Sequence, residues 1–304
     1  MISFLYRIYE IVRRIFDILG FHFLRKSYYL PIPDISDLPS AYFQRQSDMS
    51  GVRIDDRIPL AFLNNIFPPY LAEFRAMFPL HKNSTSGNAS FYLINSSYMA
   101  IDAHVYYAFI RHFKPRTVIE IGGGNSSVLA GAALQKNTSQ SISTGRLVVI
   151  EPYPSPQLQR GFPGLSELIG SKIQDVPLST FTALEAGDIL FIDSSHVLRS
   201  GGDVQYEYLE ILPRLAPGVL VHIHDISLPK HYPKVYFDSG MYWNEQYLLQ
   251  AFLAFNSRFE VIWPGNYLMT HRPEILRKAF PEFDIMRQSF PSSEPTAFWM
   301  RVIP

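Results

Sequence analysis

The sequence predicts an α/β fold, a doubly wound and mostly parallel sheet with helices on both faces. Three observations predict it. Short continuous apolar runs of strand length alternate with helical stretches from about residue 114 onward, the pattern of strands buried on both faces. The first of these runs, VIEI, leads directly into the glycine turn Gly122-Gly-Gly124, and two later runs end in the polar groups IDSSH and HIHD. In such sheets ligands collect at the carboxyl ends of the strands.

The elements divide the chain into residues 1–27, 28–113 and 114–304. The opening MISFLYRIYEIVRRIFDILG places Phe4, Leu5, Ile8, Ile11, Val12, Ile15, Phe16 and Leu19 at helical spacing, with Arg7, Glu10, Arg13, Arg14 and Asp17 largely elsewhere around the helix. Charges interrupt this segment too often for a transmembrane span or a signal-peptide core. Three readings follow: a helix packed on the domain or on a second subunit of a homo-oligomer, a helix lying in a membrane interface with the help of Arg13, Arg14, Arg25 and Lys26, or a mobile tail. The protein is expected in the cytoplasm, with membrane contact, if any, peripheral.

From Tyr28 to about Ser97 proline, aromatic residues and short polar runs predict loops and short helices over a core, able to shape a substrate pocket. An apolar-periodic helix is expected over Met99–Phe113. Strands are then expected at Thr117–Ile121, Leu147–Ile150, near Ile173, at Ile189–Ile192, Val219–Ile223 and Phe259–Ile262, and at Ala297–Ile303. Helical material lies between them at Ser126–Leu134 and Val204–Leu215.

Composition narrows the function. With 304 residues, 47% of them hydrophobic, the chain is long and apolar enough for a large core. A formal net charge of zero gives no global attraction to nucleic acid, and none is expected as a partner. The absence of cysteine excludes disulfides, thiolate metal sites and a cysteine nucleophile. Glycosylation sequons at Asn83, Asn88, Asn95, Asn125 and Asn137 read as chance matches, since Asn125 lies inside the glycine turn.

Glycines after Ile121 remove side chains where the backbone turns sharply and approaches a ligand, and Ser126 and Ser127 then open a helix whose free N–H groups favour a polar or anionic group. A dinucleotide fingerprint wants glycine at its first, third and sixth positions. Gly122 and Gly124 meet the first two, but Ser127 holds the sixth. Glu120 discriminates further: a carboxylate there repels a pyrophosphate and suits an ammonium-bearing ligand. Glu151, ending LVVIE, is positioned to take both hydroxyls of a ribose. The ligand that answers both acids is an amino acid linked to a nucleoside.

Glu120-Ile-Gly122-Gly-Gly124 followed by Glu151 resembles the first two motifs of class I methyltransferases that use S-adenosylmethionine. The resemblance covers roughly Thr117–Pro304 and implies a seven-stranded sheet whose terminal strand, AFWMRVI, is antiparallel. It also implies that Gly122 and Gly124 pass close to the cofactor, that Glu120 helps hold its amino acid portion, that Glu151 takes the ribose, and that Asp175 in KIQDV contacts the adenine amino group. YYLPIPD, FIDSSHVLRSGGDV, LAPGVLVHIHDI and WNEQYLLQAFL look like a bacterial branch grouped with O-methyltransferases of glycans and secondary metabolites. The acceptor so implied is a small molecule or a glycan.

The second cluster carries the chemistry. Asp193 closes the fourth strand and Asp225 the fifth, so both line one cleft; His196 follows Asp193 by three residues, and His222 and His224 share one face of their strand. Two carboxylates with an imidazole suit a divalent cation such as Mg2+, held by Asp193, Asp225 and His224, or by His196 in its place. Without a cation, His196 or His224 is the base for a substrate hydroxyl and Asp193 orients the methionine portion or the histidine. Asp193 and Asp225 resemble the metal-binding acids of cation-dependent O-methyltransferases, although Ile226 stands where that pattern often has another acid or an amide. His222, deepest in its apolar run, reads as a buried support. Two readings from other classes stand beside methyl transfer: an NAD-dependent oxidoreductase on a similar sheet, and a catalytically inactive scaffold.

Overall fold

The computed structural model describes residues 2–39, 41–82, 90–140 and 144–304, with side chains from residue 6 onward. The sequons at Asn83 and Asn88 lie outside the described residues. Those at Asn95 and Asn137 are buried and spend their amide groups inside the fold, on the Tyr98 and Ile110 carbonyls.

Seven strands form one sheet: β1 (Thr117–Ile121), β2 (Arg146–Ile150), β3 (Glu167–Ile169), β4 (Ile189–Ile192), β5 (Leu220–Ile223), β6 (Phe259–Pro264) and β7 (Phe298–Val302). Their order is β3-β2-β1-β4-β5-β7-β6. Strands β1 to β5 pair in parallel, and β7 runs antiparallel to both β5 and β6. The order reverses between β1 and β4, which places the crevice of a doubly wound sheet at their carboxyl ends.

Side-chain alternation splits each strand between two cores. Val118, Leu147, Val149, Ile189, Phe191 and Leu220 face one way, where they share a cluster with Phe67, Phe74 and most of the helix Asp102–Phe113. Ile119, Ile121, Val148, Ile150, Leu190 and Ile192 face the other, toward Tyr208, Leu249 and Leu253. Parts of the proline-rich region therefore belong to the core: helix Phe67–Met77 buries Phe67, Leu71 and Phe74.

The expected strands are present, β1 and β4 with the expected bounds and the others with ends shifted by a residue or two, except the third. That strand is Glu167–Ile169, and the stretch around Ile173 is instead a 3-10 turn, Ile173–Asp175. The reason is its place at the sheet edge, where three residues with partly exposed faces pair with β2 and no long apolar run is needed. Ile173 is apolar because it plugs the core beneath the turn. The helical material expected over Val204–Leu215 is present as one continuous run that changes its winding: α-helical at Asp203–Tyr206, a π turn at Glu207–Ile211 and a 3-10 turn at Leu212–Arg214.

The N-terminal helix forms at Ile2–Ile18. None of its described residues belongs to either core cluster or to the apolar residues packed against them. Among the described residues no helix is long and apolar enough to cross a membrane.

Candidate active site

A cleft of about 480 Å³ opens over the carboxyl ends of β1, β2, β4 and β5, walled by Gly122–Ser126, Glu151, Asp193, His224, Asp225 and, from outside the sheet, Tyr98, Asp102, Lys230 and Thr296. At its base Gly122 has φ +83°, and a Cβ there would fall on the Asp193 carbonyl oxygen. Only glycine lets β1 and β4 come together at this point. Gly124 differs: a Cβ on it would meet nothing within 4 Å. Its N–H donates to Ser127 Oγ at 3.1 Å as the helix Asn125–Ser139 begins.

Glu151 follows β2 and stands on the same wall. Its Oε2 accepts from the Gly123 N–H at 3.3 Å and its Oε1 from the Tyr153 N–H at 2.8 Å, so the turn and the carboxylate hold each other in place. Glu120 lies below that wall, with no exposed surface, and accepts a 2.7 Å hydrogen bond from the Tyr106 hydroxyl. Burial pushes its carboxyl up to about 8, against the opposing hydrogen bonds from Ser127 and Tyr106. Asp175 is not brought to this group. It is exposed on its 3-10 turn and is absent from the cleft wall.

The second cluster converges. The ligand-capable atoms of Asp193, His196 and Asp225 all lie within 4.8 Å of one another. His196 Nε2 is 3.2 Å from Asp193 Oδ1 and 3.5 Å from Asp225 Oδ2. His196 and Asp225 both take left-handed backbone conformations, φ 59° and 55°, a cost that non-glycine residues bear where the surrounding structure imposes it. The third member of this group is His196, where the sequence had favoured His224; the turn after β4 carries His196 back over the strand end. Glu245 explains the orientation. Its Oε2 lies 2.8 Å from His196 Nδ1 and its Oε1 accepts from the Tyr208 hydroxyl at 3.2 Å. A carboxylate only accepts, so Nδ1 carries a proton for Glu245, and Nε2 is turned toward the two aspartates, to which it donates while the imidazole is protonated.

His224 approaches the same two aspartates. Its Nδ1 is 3.4 Å from Asp193 Oδ1 and 3.7 Å from Asp225 Oδ1, and its Nε2 is 3.4 Å from Thr296 Oγ1 and 3.5 Å from Asp102 Oδ2. Burial would lower both imidazoles. For His196 the hydrogen bonds to Asp193 and Glu245 outweigh burial, and for His224 the charges of Asp225 and Asp193 do; both are held well above the ordinary histidine value. Reciprocally, burial would raise Asp193, but the charge of His224 and the hydrogen bond from His196 hold it below the usual carboxylate range.

His222 points to the same side as His224, with ring centroids 5.8 Å apart, but it is sealed between Phe191 at 4.1 Å and Trp299 at 4.7 Å. Burial holds its pKa well below the ordinary value.

Asp102, Glu245 and Thr296 were not singled out by the sequence. Glu245 left a trace there: it heads the stripe Glu245, Leu249, Leu253 on the buried face of the helix Glu245–Leu253, an acid where an apolar residue is due. Asp102 left none, since an acid in the first turn of a helix is ordinary. Its Oδ2 accepts from the Thr296 N–H at 2.9 Å, a contact across 194 residues of sequence.

A family profile described as a methyltransferase domain matches residues 119–226, the stretch from β1 to just beyond β5. An Archaeoglobus fulgidus protein described as uncharacterized is 33% identical over 170 residues, 52% of this chain and 72% of that protein. The chain belongs to the family of that archaeal protein. Among solved structures, a methyltransferase of Podospora anserina with SAH bound is 15% identical with a TM-score of 0.40, covering 79% of this chain and 89% of that one. An O-methyltransferase from Bacillus cereus in complex with SAH is 15% identical with a TM-score of 0.36, covering 82% and 97%. Strand order, the antiparallel β7 and the glycine turn make the domain a class I methyltransferase-like fold.

Proposed function

We propose that the protein is an S-adenosylmethionine-dependent O-methyltransferase, assisted by a divalent cation, whose acceptor is a hydroxyl of a sugar or secondary metabolite. The observation that carries this reading is the convergence of Asp193, His196 and Asp225 beside a glycine turn that Gly122 packs against Asp193 itself.

The residues suit the cofactor. Gly124 leaves the cleft wall open to a close-lying ligand and Glu151 offers carboxylate lone pairs to a ribose diol, whereas Glu120, buried beneath the turn, protonated and outside the cleft wall, supports the turn through Tyr106. S-adenosylmethionine supplies the electrophilic methyl group on its sulfonium. Two carboxylate oxygens and one imidazole nitrogen form a donor set suited to Mg2+ or Mn2+. A bound cation would lower the pKa of an acceptor hydroxyl.

Asp193, Asp225 and His196 would hold that cation, His196 giving up its Nε2 proton to bind it while Glu245 fixes the ring through Nδ1. His224 would then be the base. It borders the cleft with Nε2 beside Asp102 and Thr296 and Nδ1 beside the two aspartates, and a cation that neutralised Asp193 and Asp225 would remove the charges that keep the imidazole protonated and free it to take the hydroxyl proton. The polar side chains of Ser227, Lys230, Asn266 and Glu294 around the cleft favour a hydroxylated acceptor over a purely apolar one.

Calorimetric titration tests the reading. S-adenosylhomocysteine is expected to bind saturably, and Mn2+ to bind the wild type but not Asp193→Ala. Saturable NAD binding with no response to S-adenosylhomocysteine overturns it in favour of an oxidoreductase.

A further inference from the structure

The N-terminal helix is amphipathic, and its apolar face is bare. Ile11, Ile15 and Ile18 are 59%, 51% and 85% exposed, with Ile8 and Leu19 exposed beside them. At 100° per residue these fall on one side of the helix. The chain then doubles back, and Phe23 stacks on Phe16 with centroids 5.1 Å apart and lies 6.0 Å from Tyr9. The return adds Phe21, Phe23 and Leu24 to the exposed apolar surface, and Tyr28 and Tyr29 follow, almost fully exposed.

Charge identifies the occupant. Arg13 is held by Glu10 at 3.0 Å and Asp17 at 3.4 Å, on the side of the helix away from the isoleucines. Arg7 and Arg14 stand one turn before Ile11 and Ile18, at the edge of the apolar face. Neither they nor Arg25 forms an ion pair with a described residue. Residues 1–27 hold five basic side chains against two acidic ones in a chain of zero net charge.

We propose that this helix and the segment that folds back on it dock the protein on an anionic lipid bilayer, the apolar face entering the headgroup boundary and Arg7, Arg14 and Arg25 meeting lipid phosphates. Pairing with a second copy suits the observations less well. A helix–helix seam places complementary charges along its flanks, whereas here the flank carries free arginines and the acids are already engaged on the opposite side. Width points the same way, since the apolar surface extends past the helix into aromatic residues of the kind that settle at membrane interfaces.

Sedimentation with phosphatidylcholine vesicles containing or lacking phosphatidylglycerol tests this on the full chain. The wild type is expected to sediment with the anionic vesicles and to be released by high salt. The pair Arg7→Glu/Arg14→Glu is expected to lower partitioning about tenfold or more, and Ile11→Asp/Ile15→Asp to abolish it. Both variants should keep the wild-type melting temperature, because the substituted residues lie outside the cores. Absence of sedimentation, or sedimentation unchanged by the arginine reversals, overturns the proposal. So does a lipid-free wild-type dimer that Ile11→Asp/Ile15→Asp converts to monomer.

Discussion

Replacing Glu120 by glutamine should flatten part of the protein's pH–stability profile. The carboxyl is fully buried, accepts from Tyr106 at 2.7 Å, and is pushed up to about 8 chiefly by burial. In an unfolded chain a glutamate titrates near about 4.3. Between these values the folded protein retains a proton that the unfolded chain has lost, so stability falls as pH rises through that window. At about 1.4 kcal/mol per pH unit, this residue alone removes about 3 kcal/mol between roughly pH 5 and pH 8. Glu120→Gln preserves the shape and the acceptor for Tyr106 but does not titrate. Urea unfolding of the ligand-free proteins, followed by tryptophan fluorescence, gives both profiles. The difference between them should change by about 3 kcal/mol across that range, shifting in the variant's favour toward high pH. Parallel profiles would refute the reasoning, because they would mean that Glu120 is ionised inside the fold.

Three further outcomes are expected. Glu151→Ala should weaken S-adenosylhomocysteine binding by about 1.5–3 kcal/mol in calorimetry while leaving the protein folded; unchanged affinity in the folded variant would put the ribose elsewhere. Gly122→Ala should cost about 2 kcal/mol or more in urea unfolding, since it adds a Cβ both at φ +83° and onto the Asp193 carbonyl, whereas Gly124→Ala should stay within about 0.5 kcal/mol, and equal losses would contradict the account of the turn. His222→Phe should be neutral or stabilising in thermal melts, because neither ring nitrogen has a hydrogen-bond partner among the described residues and aromatic rings surround the site; a loss above about 2 kcal/mol would reveal a polar role.

The sheet was legible in the sequence because most of its strands are buried on both faces, so continuous apolar runs mark them directly. Strand β3 escaped because an edge strand of three residues leaves little periodic signal. The turn and its flanking acids were legible for a local reason: Glu120, Gly122–Gly124 and Glu151 sit at strand ends, where position in the chain fixes position in the fold. Asp193 and Asp225 were found the same way. Which of His196 and His224 joins the two aspartates was left open by the sequence, since the choice depends on two left-handed residues that redirect side chains after the strands end. Asp102 and Glu245 lie still further from sequence reasoning, because their contacts with His224 and His196 are made across long stretches of chain.

A crystal structure with S-adenosylhomocysteine and Mn2+ bound, read by anomalous scattering, tests most directly whether a methyl donor and a cation meet over the ends of β4 and β5. The ligand is expected along Gly122–Gly124 with its ribose at Glu151, and a manganese peak is expected bounded by Asp193, His196 and Asp225. A ligand whose sulfur lies far from these residues, or a cleft that binds it with no manganese between the two aspartates, would overturn the proposed function.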